Sequence, residues 1–309
     1  MDPPPGGGYA GDVTALGDGA LNTDGPFADD TALGFHALYS GGGPENTAVG
    51  SFALSSDTVG DGNVAVGYQA LLGNTSGSAN VAIGPSAMVD NTTGRDTVAI
   101  GNGALETGTT GYGNVACGFG AMIFNAVGSN DTAVGDDAMA SSSGSQNTAL
   151  GSDSMNGATG SQNTAVGGWA GLNLSGNSNI VIGYFAAQNV TSGANNIEIG
   201  NAGTKNDANL IRLGDPATQK KAFIAGISGV KISNGVAVVI NKQGQLGVAA
   251  SSESADNSSL LHSFLEEQRK VAALEAKVAS LEAMVEKGEC AGAGQRARAT
   301  RGRRRQLTL

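Results

Sequence analysis

One phrase recurs along most of this chain: Asn or Asp, Thr or Val, Ala, an aliphatic residue, Gly, two variable residues, Ala, then Leu or Met. Its glycines are Gly17, Gly34, Gly50, Gly67, Gly84, Gly101, Gly118, Gly135, Gly151, Gly167, Gly183 and Gly200, with a weaker thirteenth at Gly214. Steps as far as Gly200 are 16 or 17 residues. A period of that size makes each repeat one turn of a solenoid. A unit so short cannot bury a face alone and must stack on its neighbours.

The residues before each glycine suit a short strand. Side chains alternate across a strand, so Thr47 and Val49 share one face while Asn46 and Ala48 share the other. Both faces are compact, which requires packing on each side. Glycine tolerates positive φ and supplies the turn. A second apolar pair follows (Ala53-Leu54, Ala70-Leu71, Ala87-Met88), and the rest is Ser, Thr, Gly and Asn turn chemistry. Each period is expected to be a flattened coil of two short strands. About twelve coils stacked at about 4.8 Å give a rod on the order of 55 Å long. Asn or Asp stands four residues before the glycine in ten of thirteen periods, placed to form a hydrogen-bonded ladder. Such a coil encloses little, and its second apolar face would be left wet. Self-association through that face is expected, with three chains.

The Asn-x-Ala-Val/Ile-Gly-x-x-Ala repeat over 12–203 resembles the head of trimeric autotransporter adhesins. The resemblance implies an all-β fold, a left-handed parallel β-roll, a homotrimer, and a surface-displayed or secreted adhesive fibre. It also implies contacts with extracellular matrix proteins or glycans. The family's membrane-anchoring strands have no counterpart here, nor is a signal peptide visible at Met1-Asp2-Pro3-Pro4-Pro5. A second resemblance lies in Phe223-Ile224-Ala225-Gly226-Ile227-Ser228-Gly229-Val230 with Gln245-Leu246-Gly247. It is similar to the segment preceding the endosialidase-type (S74) self-cleaving chaperone of tail fibres. Ser251 and Ser252 stand about where that family's cleavage serine would be. Without a lysine partner or a following chaperone domain, they read as linker.

The composition agrees with a rod. Glycine accounts for 50 of 309 residues and charged residues for 14%, unlike an ordinary globular enzyme. Residues 1–204 hold 17 acids and one base, Arg95, so nucleic acid and anionic membranes should be repelled. The expected segments are a lead-in over 1–11, the roll over 12–204, a β neck over 205–252, a linker and helix over 253–287, and an arginine-rich tail over 288–309. In the neck, residues 222–227 and 236–240 read as buried strands. Residues 260–287 carry heptads. Phe264, Val271, Val278 and Val285 fall at a, and Leu260, Leu274 and Leu281 at d, with Lys270 and Lys277 at g facing Glu275 and Glu282 at e. Those positions predict a parallel coiled coil, although Val at a with Leu at d favours two strands rather than three.

Catalytic and metal motifs are missing from the sequence, so an enzyme, a cofactor and a metal are not expected. His36 and His262 read as solvated, Cys117 as a small buried hydrophobe, and Cys290 as a free thiol. No stretch is long and apolar enough to span a membrane. Of fourteen aromatic residues, seven directly follow a motif glycine by one or two places: Phe35, Phe52, Tyr68, Phe119, Trp169, Tyr184 and Phe185. Two readings stand for them. They form an outward ladder suited to sugar rings or matrix proteins, or they fill gaps between subunits. The expected function is a non-enzymatic adhesin-like fibre; a tail-fibre protein that has lost its self-cleaving chaperone is the alternative.

Overall fold

The structure, a computed structural model, describes residues 12–22, 28–224, 238–242, 244–248 and 261–284. It divides into two units, 1–222 and 223–309.

The first unit is a parallel β-solenoid of about 11 turns. Its sheet contains β1 (Thr14–Leu16), β2 (Thr31–Leu33), β3 (Thr47–Val49), β4 (Val64–Val66), β5 (Val81–Ile83), β6 (Val98–Ile100), β7 (Val115–Cys117), β8 (Thr132–Val134), β9 (Thr148–Leu150), β10 (Thr164–Val166), β11 (Ile180–Ile182), β12 (Ile197–Ile199) and β13 (Ile211–Leu213). The strands stack in sequence order, and every register sets like position on like position, as in Ala48↔Ala65 and Ala82↔Ala99. The middle residue of each strand points inward; Ala32 through Ala165 at this position are fully buried.

The expectation of two strands per coil is corrected: each coil has one strand of three residues, and the Ala-Leu pair lies in a turn. The reason is backbone sign. Leu54, Leu71, Met88, Leu105, Met122, Met139 and Met155 all have φ between 50° and 56°, the left-handed region, which a strand cannot use. Two further left-handed corners complete the coil. In the β5 coil they are Ala79 (φ 55°) before the asparagine and Ser86 (φ 55°) after the glycine. Each corner turns an N–H along the rod axis and into a neighbouring coil. Leu71 donates to Ala87 O at 3.0 Å, Ala79 to Asp61 O at 2.9 Å and Ser86 to Tyr68 O at 2.9 Å. No Val, Ile or Thr occupies a positive-φ position among the described residues, because branching at Cβ makes that region prohibitive. Leu and Met therefore fill the core at this corner. Where Gly171 replaces them, Leu174 from a later position takes up the space.

The inward asparagines form a continuous ladder. Asn46 Oδ1 accepts the N–H of Asn63 at 2.9 Å, and Asn63 Oδ1 accepts that of Asn80 at 3.1 Å. The pattern runs from Asp30 to Asn196, with Thr97 and Asp131 as variant rungs. The amide Nδ2 groups close the other side of the coil, for example Asn80 to Gly94 O at 2.8 Å and Asn163 to Gly176 O at 2.9 Å.

The second unit contains an antiparallel hairpin, β14 (Val238–Ile240) with β15 (Leu246–Val248), and a helix α1 over 261–284. The described parts of the neck strands expected to be buried are exposed: Phe223 and Ile224 lie outside any strand, and β14 is exposed along its length, with nothing among the described residues but β15 paired to it. Residues 225–237, Ser251, Ser252, Leu260, Val285, Cys290 and the arginine tail lie outside the described residues.

The motif glycines need both their backbone sign and their lack of a side chain. Gly67 has φ 139°, and a Cβ there would strike the carbonyl carbon of Gly84 at 2.6 Å. Gly62 is also left-handed, at φ 64°, but a Cβ there meets nothing within 4 Å. Gly67→Ala is therefore expected to destabilise the rod by on the order of 3 kcal/mol and Gly62→Ala by about 1 kcal/mol. Thermal melts monitored by circular dichroism measure both; equal losses would contradict this packing account.

Candidate functional site: the outer sheet face and the corner edge

Because Asn and Ala turn inward, the first and third residues of every strand turn outward. Along β2–β12 these are Thr, Val, Ile or Leu, with a single Cys, and most are half-buried or exposed. Registers such as Ile83↔Ile100↔Cys117↔Val134↔Leu150 make one straight apolar column at the third position, beside a first-position column that carries Thr in six of the thirteen strands and Val or Ile in the others. Thirteen strands at about 4.8 Å give a strip about 60 Å long and on the order of 600 Å² in area. That is at the upper end of what a monomeric soluble protein leaves exposed. Cys117 belongs to this face, half-buried, which corrects its reading as a buried core residue. The third strand position faces out, not in.

The aromatic residues lie on the corner just after the strand. Phe35, Tyr68, Phe119, Trp169 and Tyr184 are exposed, while Phe52 and Phe185 are half-buried. The structure does not bring the seven into one ladder. Phe35 and Phe52 meet at 5.2 Å between ring centroids, and His36 stacks between Phe35 at 4.1 Å and Tyr39 at 4.4 Å. His36 is thus half-buried among rings, not solvated as expected. Trp169, Tyr184 and Phe185 form a second cluster with centroids 4.4–6.0 Å apart. Tyr68 and Phe119 stand apart from both. Tyr39 was missed from sequence because the repeat does not single it out.

In α1, Phe264, Val271, Leu274, Val278 and Leu281 are all exposed in the single chain. No helix among the described residues is long and apolar enough to cross a membrane. Nor, among them, do three or more His, Cys, Asp or Glu side chains gather where they could hold a metal ion.

Several acids are buried inside the coil. Asp30, Asp57 and Asp131 are each pushed up to about 6, first by burial, against the backbone N–H groups of Asn46, Gly60 and Asn147 that favour the anion. Glu198 replaces Ala at the centre of β12, is 0% exposed, and makes no hydrogen bond with either oxygen. Burial, then the nearby Asp207 carboxylate, raises it to about 7, while Arg212 opposes the rise from 3.7 Å. Arg212 is committed to Asp207, which it grips with two bonds at 2.8 and 2.7 Å. That grip lowers Asp207 to about 2.

These shifts set the sign of the pH response. A buried carboxyl whose folded pKa is raised stabilises the fold relative to its ionised form. That advantage is complete below the unfolded value near 4 and is lost as pH climbs through 6 to 7, on the order of 2–3 kcal/mol per group. Asp207 acts oppositely: its contribution is present above the unfolded value and disappears as pH falls towards 2. The thermal midpoint is therefore expected to peak between about pH 3 and 4 and to fall steadily towards pH 8. Asp131→Asn should flatten that decline. A midpoint that rises steadily from pH 5 to pH 8 would refute the assignment of these acids.

No protein-family model matches the chain, and neither a curated protein nor a solved structure matches it.

Proposed function

We propose that the chain is a non-enzymatic fibrous protein, adhesin-like, that assembles as a homotrimer through the outer face of its sheet. It acts at a cell surface or after secretion. The observation that carries this reading is the uncharged strip of Val, Ile, Leu and Thr running along the solenoid, on which nothing among its described residues packs. Three such faces meeting about a common axis would remove the strip from water, at roughly 25 cal/mol per Å² of apolar surface. The repeat's resemblance to autotransporter adhesin heads supports three chains and a left-handed winding. The exposed heptad seam of α1 supports parallel, in-register association. A stiff rod of three identical edges multiplies weak contacts by avidity, which suits adhesion to matrix proteins or glycans. A tail-fibre role is the second reading, favoured by the exposed β14–β15 hairpin around Gln245-Leu246-Gly247.

Sedimentation equilibrium of the full chain is expected to give three times the chain mass. Ile100→Asp with Val134→Asp places two charges in the strip and should lower the mass to that of one chain. Each unpaired charge costs several kcal/mol when buried. Because such a variant could instead misfold, a second measurement uses the native face. With Cys290→Ser, a spin label on Cys117 should show strong dipolar coupling between chains. A single-chain mass for the native protein, or no coupling at Cys117, would overturn the trimer.

A further inference from the structure

The last described coil of the solenoid is built unlike the others. From Gly200 to Gly214 is a step of 14 residues, where earlier steps are 16 or 17. In the inward column that Ala fills from β1 to β10, Glu198 stands between Val181 on one side and Arg212 on the other. Asp207 joins them from the turn between β12 and β13. Its carboxylate holds that turn closed, accepting the Thr204 N–H at 2.7 Å and the Thr204 hydroxyl at 2.6 Å. Its carbonyl accepts the Asn196 side-chain amide at 2.7 Å. Gly203 lies against both acids, since a Cβ there would stand 3.5 Å from an oxygen of each.

Three ionisable side chains thus share one enclosed place. The fork of Arg212 closes on both Asp207 oxygens, with Nε left 3.7 Å from Glu198. One guanidinium cannot neutralise two carboxylates. A protonated Glu198 removes the excess charge, and its hydroxyl has the Asp207 carboxylate as its acceptor. An ionised Glu198 is instead a fully buried anion with no hydrogen bond to either oxygen, a costly state. No other charge is placed to relieve it. The coils of β10 and β11 contain no Asp, Glu, Lys, Arg or His, and Val181 and Val190 pack from that side. Lys205, Lys220 and Lys221 are exposed, and Asp215 accepts the Ala217 N–H at 2.8 Å on the following corner. Relief therefore requires movement. Arg212 leaves Asp207 for Glu198 and frees the Thr204 turn, or β13 parts from β12 and admits water.

We propose that the proton on Glu198 is a latch on this coil: while it is held, β13 stays stacked on β12, and once it is lost residues 203–214 come away from β12. The latch lies wholly within the solenoid unit. It goes beyond the adhesive reading and does not depend on the number of chains. Opening returns Glu198 from about 7 in the closed coil to its ordinary 4.5. Between those values only the closed coil holds the proton. Opening should then become about tenfold more frequent with each pH unit and level off above pH 7.

Hydrogen exchange of the full chain, read by mass spectrometry as protection relative to the unstructured rate at each pH, tests the latch on residues 208–214. The Gly214 N–H in that segment donates to Ile199 O at 2.7 Å. Its protection is expected to fall about a hundredfold from pH 5 to pH 7. Two full-length variants remove the titrating group. Glu198→Gln keeps the size of the side chain, and Glu198→Ala restores the residue that the column carries in ten other strands. In both, protection of 208–214 should change less than about threefold over the same range, while residues 98–104 exchange as in the native chain. Native protection that is flat from pH 5 to pH 7 would overturn the latch. So would a fall that persists in both variants, or one of equal size in 98–104, which reports opening of the whole rod.

Discussion

A turn of 16 or 17 residues must come back to its starting point within the width of two side chains, and this closure governs every other feature. Right-handed and extended residues alone do not turn the chain sharply enough. The coil uses left-handed corners instead, each costing on the order of 1 kcal/mol at a non-glycine residue. What holds them is the hydrogen bond each corner makes to an adjacent coil, such as Leu71 to Ala87. The cost is met only in the stack, so a single coil has no stable existence. The composition follows from the same constraint. Val, Ile and Thr are kept out of the left-handed positions, Leu and Met take the core corner, and Asn, Asp, Gln and Ser cluster at the remaining left-handed sites.

The asparagine ladder does a second task that an apolar residue could not. Between the strand and the corner before it, backbone N–H groups face the interior, where no water can satisfy them. The side-chain oxygen of the coil below accepts each one, and the amide donates across to a glycine carbonyl. Substituting Asp preserves the acceptor but loses the donor and brings a charge, which is why Asp30 and Asp131 are raised. At the end of the stack the ladder closes with different chemistry. Asn196 still receives Leu210 N–H at 3.4 Å, but Glu198 and Arg212 replace Ala beside it. The Asp207–Arg212 pair satisfies the coil of β13 internally, the last coil among the described residues.

Much of this was legible because the repeat exposes each position about a dozen times. The inward Asn and Ala, the outward Thr and Val, and the thin core all follow from strand alternation at one phrase. The second apolar pair misled for a physical reason: Ala-Leu is compatible with a strand by hydropathy, and nothing in hydropathy encodes the sign of φ. The absence of Val and Ile at that place was the available signal. A second glycine column also went unread. It includes Gly77, Gly94 and Gly111, where a Cβ would collide with the next coil's carbonyl. It hid among loop glycines that vary around it. A ladder was one of two readings open for the corner edge, since sequence gives the step between rings but not whether a ring one place later turns to the same side.

The distribution of charge over the strands is the reverse of what water alone would select. A sheet with one wet face normally carries polar residues on that face and apolar ones within. Here Glu198 and Arg212, the only charged residues in β1–β13, both occupy the inward position, and the outward positions carry no charge at all. In a roll with 16 acids, that omission is selective, because acids are plentiful at corners a few residues away. An uncharged face also spares an acidic rod the like-charge repulsion that side-by-side copies would otherwise meet. The strand sequence Thr-Ala-Val therefore makes physical sense when its outer side is drier than its corners, a condition that other copies of the same face would supply.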